Sequence, residues 1–163
     1  MKTDICTSIE KSKKLMELGV DPSTADMCYV GTEKEHILHA ESYNKILAWR
    51  KEDAKKCHNA PFSTSITPCW SLAAILELMP FFITIKEEGE PDEYYHFQLN
   101  RNGSVFHSKW WASYHGLKTE RGKVHTRRIH WAVGPKEESE TPLDAAFELL
   151  CWLIEQGQIK VNK

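Results

Sequence analysis

The residues best equipped for chemistry are the histidines. Five of the eight, His96, His107, His115, His125 and His130, fall in a stretch that reads as β-structure. Strand alternation puts His96, His107 and His130 on one face of a sheet, with His115 near the end of the third strand of that sheet. Clustered imidazoles can bind a transition metal or relay protons. The stretch has no HExxH motif, no His-x-His pair and no accompanying pair of carboxylates. Histidines on the wet face of a sheet are more often ordinary polar side chains. The metal reading of His96, His107 and His130 therefore stands beside a plainer one, and no cofactor is expected.

Cys57 and His58, with Cys69 further along, offer three soft ligands, but their spacing matches no zinc finger or ribbon. Adjacent residues such as Cys57 and His58 also do not present a thiolate and a base to each other in the geometry nucleophilic catalysis requires. Between Leu117 and His130 the cations Lys118, Arg121, Lys123, Arg127 and Arg128 face one carboxylate, Glu120. Trp111 and Tyr94 share the face of Arg128 by alternation. A basic strand edge with aromatics suits single-stranded nucleic acid, where stacking and phosphate contacts combine, and Lys123, Arg127, Arg128 and Trp111 would carry that binding. The competing reading is that Lys and Arg keep exposed strand edges from pairing with other chains. No Gly-rich phosphate loop, GxSxG or Walker motif is present.

The elements that must position these residues are marked by caps and periodicity. Thr141 to Ile159, TPLDAAFELLCWLIEQGQI, opens on a Thr N-cap and a Pro suited to the first helical position, and Gly157 ends it. Leu143, Ala146, Phe147, Leu150 and Ile154 form one apolar stripe, widened by Leu149 and Leu153. Thr67 and Pro68 repeat the start signal, so CWSLAAILELM reads as a second such helix, stopped by Pro80. Thr7 to Glu10 has capping-box spacing ahead of a short helix that Gly19 stops. Asp21 and Pro22 mark one further turn. The charged stretch 31–60 reads as a surface excursion containing a helix from Ser42 to Lys56.

Between the two Thr-Pro segments the period changes to two. Phe81, Ile83 and Ile85 mark a first strand. YYHFQLN and SVFHSKWWASYH flank Asn102-Gly103, a hairpin signal that pairs Leu99 with Phe106, Gln98 with His107, His96 with Lys109 and Tyr95 with Trp110. KVHTRRIHWAVG supplies a fourth strand. The expected fold is α+β: a four-stranded antiparallel meander with the two main helices packed on one face, plus an N-terminal helix and a surface helix.

The chain has 163 residues, of which 41% are hydrophobic, enough for one core, so a single domain spanning 1–163 is expected. A formal charge of −2 gives no global attraction to nucleic acid or anionic membrane. Five cysteines without a CxxC, one inside an apolar helix, suit reduced packed thiols. MKTDICTSIEKSKK lacks the apolar core of a secretory leader, and no run approaches about eighteen apolar residues. A cytoplasmic protein without membrane association is expected.

The segments LMELGVDPSTADMCY, PCWSLAAILELMP and TPLDAAFELLCWLIEQGQI together resemble a family of small uncharacterised proteins encoded in prophages and mobile elements of gut bacteria. The family has no assigned activity, so the resemblance implies no catalytic residue. The expected function is that of an accessory protein of a mobile element that acts by binding a protein partner, and Trp111 near Tyr94 marks a contact surface suited to a homodimer. A nucleic-acid module is the first alternative and a metal-dependent enzyme the second.

Overall fold

Hydrophobic alternation in the second half of the chain builds the sheet expected of it. The computed structural model describes residues 5–31, 35–56, 65–85, 93–101, 109–121, 126–136 and 138–161, and, of 53–56, 117–121 and 126–131, the backbone. Strands β4 (Phe82–Ile85), β5 (Glu93–Arg101), β6 (Trp110–Arg121) and β7 (Thr126–Val133) pair antiparallel in the order β4-β5-β6-β7. This is the α+β meander that the sequence specifies.

A second antiparallel sheet was not expected. It joins β1 (Met27–Gly31), β2 (His36–His39) and β3 (Ser65–Cys69) in the order β2-β1-β3. The Thr-Pro signal at Thr67 is therefore corrected. Thr67 and Pro68 lie in β3, opposite Tyr29 and Cys28, and the helix α3 begins only at Leu72 and runs to Leu78. Pro has no N–H to give to a ladder, and β3 is an edge strand, where that loss is tolerated. The remaining helices are α1 (Ile9–Glu17), α2 (Tyr43–Lys56) and α4 (Pro142–Glu155). Pro22–Thr24 forms the expected single turn, of 3₁₀ type.

The chain falls into two compact units, Met1–Leu76 with Val161–Lys163, and Glu77–Lys160; the division lies inside α3. In the first unit α1 and α2 pack on β3. Thr7, expected as the first member of a capping box, is instead fully buried. Its amide donates to the Trp70 carbonyl, its hydroxyl accepts from the Trp70 amide at 3.0 Å, and it shares a 2.8 Å bond with the buried Ser12 hydroxyl. The cap falls to Ser8, whose oxygen accepts from the Lys11 amide. The Trp70 indole, fully buried, donates to the Thr24 hydroxyl at 2.9 Å.

In the second unit α4 packs against β6 and β5. The Thr141 hydroxyl accepts from the Asp144 amide at 3.0 Å, and Leu143, Ala146, Phe147, Leu149, Leu150 and Leu153 are buried, as the stripe requires. One sheet face carries Ile83, Tyr95 and Tyr114, all buried. Gly116 stands opposite Tyr95, where a Cβ would come within 2.8 Å of the tyrosine ring, so the missing side chain makes room for the buried phenol.

The hairpin register differs from the expected one. Leu99 pairs with Ala112, Gln98 with Ser113, His96 with His115 and Tyr95 with Gly116, and the last pair before the connection is Arg101 with Trp110. The displacement is an even number of residues, so every side chain keeps its expected face while its partner changes.

Candidate functional site

The corrected register assembles a polar ladder on the sheet face away from Tyr95 and Tyr114. His96 stands opposite His115, Gln98 opposite Ser113 and Asn100 opposite Trp111. Along β5 the Asn100 amide donates to the Gln98 carbonyl oxygen at 3.2 Å, and the Gln98 amide nitrogen lies 2.8 Å from His96 Nε2. Along β6 the Ser113 hydroxyl lies 2.7 Å from His115 Nε2, with the two residues only 3% and 7% exposed. The Trp111 ring packs on the His115 imidazole, centroids 5.2 Å apart. Each imidazole thus has its Nε2 engaged by a neutral group, which fixes its ring as a structural member of the ladder.

Of the metal trio, His96 sits in this ladder, His107 lies outside the described residues, and His130 has its backbone opposite Leu117. The histidine that stands opposite His96 is His115, a pairing hidden until the register is known. Among the described residues no group of three or more His, Cys, Asp or Glu is placed to hold a metal ion. Cys57 and His58 lie outside the described residues. Cys6, Cys28, Cys69 and Cys151 are buried. The Cys69 thiol is held above the ordinary thiol range, first by its hydrogen bond with the Cys6 thiol and then by burial, and burial likewise raises Cys28. Such thiols stay protonated and unreactive at neutral pH.

Of the residues expected to bind nucleic acid, Lys123 lies outside the described residues. Arg127 and Arg128 stand in β7 opposite Glu120 and Thr119. Trp111, expected to be open, is half-buried and has one side occupied by His115.

Beside the ladder, the β4 edge exposes aromatic surface. Phe81 is 82% exposed, Phe82 56% and Tyr94 65%. Phe82 stands opposite His96, and its ring meets Tyr94 edge-on at 6.4 Å. At the other side of the sheet Trp111, Ser113, Ala132, Val133, Gly134, Pro135, Lys136, Glu138 and Trp152 enclose a cleft of about 660 Å³. Sequence alternation places Tyr94 and Phe82 on this face. Lys136 and Trp152 join the cleft only through the path of the chain after β7.

Comparison of the chain with protein-family models, with curated proteins and with solved structures finds no match in any of the three. Among the described residues no helix is long and apolar enough to cross a membrane.

Proposed function

We propose that this protein acts by binding a protein partner at the β4 edge of its four-stranded sheet. The observation that carries the reading is the exposure of Phe81, Phe82 and Tyr94 around a strand at the end of the strand order. An edge strand presents unpaired amides and carbonyls, and proteins usually blunt it with charge or Pro inside the strand. β4 reads Phe-Ile-Thr-Ile and has neither. Aromatic rings in the open are the usual anchors of an interface centre.

The chemistry of the partner follows from the neighbouring sequence. Glu87, Glu88, Glu90, Asp92 and Glu93 lie between β4 and the body of β5, against Lys86 alone. That charge repels phosphate and favours an extended apolar segment with Lys or Arg beside it, added to the sheet as a further strand. The resemblance to phage and mobile-element proteins supports reading the chain as an accessory protein, and five cysteines without a CxxC support a reducing, cytoplasmic setting.

A lysine at the centre of the edge tests the reading. Thr84→Lys should lower the yield of co-purifying protein about tenfold, the equivalent of ~1.4 kcal/mol, while leaving the melting temperature unchanged. Glu148→Lys on the exposed side of α4 serves as the control. Equal partner yield from both variants would count against the β4 edge.

A further inference from the structure

We infer that the cleft between Trp111 and Trp152 binds a free aromatic amino acid. The inference is independent of the docking edge, since it rests at the β7 end of the sheet, away from β4.

The cleft is built by three constraints. Gly134 leaves β7 with φ of +143°, a conformation L side chains rarely adopt, and a Cβ there would come within 3.2 Å of Leu149 Cδ1 and 3.3 Å of Ser113 Cα. The chain is thereby laid tightly against β6. It is then pinned again at Ser139, whose amide and carbonyl both pair with Trp110, each at 2.7 Å. The floor is held by the Ser113–His115 hydrogen bond and the packing of Trp111 on His115. Walls fixed in this way are present before any ligand arrives, which removes an ordering cost from binding.

The lining sets the ligand class. A volume of about 660 Å³ is in the range of small-molecule sites, and the walls of Trp111, Trp152, Ala132, Val133 and Pro135 are largely apolar. Indole walls favour a flat ring through offset or edge contacts. The two charged lining residues, Lys136 and Glu138, are exposed and of opposite sign. A simple anion such as a phosphate would meet the Glu138 carboxylate as well as the Lys136 ammonium. A zwitterion uses both groups: its carboxylate accepts from Lys136 Nζ and its ammonium donates to Glu138, while its ring lies against the indoles.

Calorimetric titration of the whole protein with L-phenylalanine, phenethylamine and 3-phenylpropionate tests this. L-phenylalanine should bind saturably at one site, and each analogue, lacking one of the two charges, should bind about five- to tenfold more weakly. Lys136→Ala should erase the preference for phenylalanine over phenethylamine, and Glu138→Gln the preference over 3-phenylpropionate. Both positions are exposed, and an unchanged melting temperature confirms that the variants are folded. Absence of saturable heat with phenylalanine, equal binding of the three compounds, or preferences that survive both substitutions would each overturn the inference.

Discussion

Burial of the Tyr114 phenol predicts a loss of stability in alkali. Its ring is fully buried against Phe97, its hydroxyl donates to the Pro80 carbonyl, and burial pushes its pKa up to about 12. The unfolded phenol ionises near 10. Below that pH both states are neutral and the full stability is present. Between about pH 10 and 12 the unfolded chain loses its proton first, so stability falls by on the order of 2 kcal/mol. Urea unfolding of wild type and Tyr114→Phe at both ends of this window should show a steeper loss for wild type; parallel losses would place the phenol in water. Residue identities visible in the sequence set the faces correctly, so Tyr94 is open and Tyr95 buried as alternation requires. The Ser113–His115 and Gln98–His96 contacts were not legible, because a hydrogen bond depends on neighbours along and across strands that alternation does not identify. Trp111 is less open than alternation predicts for a related reason: the ring packed against it, His115, lies along its own strand, and nothing in its spacing distinguishes contact from exposure.

α4 is the element most completely written in the sequence, since capping and burial are local signals. Thr141, Pro142 and the Leu-rich stripe decide its start, direction and inner face without reference to any other segment. Its neighbouring positions Phe147 and Glu148 should therefore differ sharply: Phe147→Ala should cost about 3–5 kcal/mol, while Glu148→Ala should stay within about 0.5 kcal/mol, both read by urea unfolding. Similar costs at the two sites would contradict the assigned inner face. The same Thr-Pro signal misled at Thr67. Thr is also a good strand former, and an edge position excuses Pro, so the dipeptide alone does not separate a helix start from an edge strand. In β5 and β6 the Asn102-Gly103 turn signal gave the right two strands with the wrong partners. Turn chemistry is local, whereas register is decided by burial summed along both strands, and an even displacement leaves that sum nearly unaltered.

At the scale of the molecule, each of the two compact units has its own antiparallel sheet, and the sequence disclosed only the second of them. The first sheet is not legible in the sequence because β1 and β2 are short, and the β1–β3 pairing joins segments on either side of α2. The polar ladder, the cleft and the aromatic edge all belong to the second unit. Of these, the edge bears the account's central claim, that binding occurs at β4. Site-specific photo-crosslinking in the cells that make the protein tests it most directly. A photoreactive residue replacing Phe82 should form a discrete adduct, mapped by mass spectrometry to one extended segment of a partner or of a second copy, and the same residue replacing Glu148 should form none. Equal adduct yields at the two positions, or none at Phe82 while partners still co-purify, would contradict the docking edge.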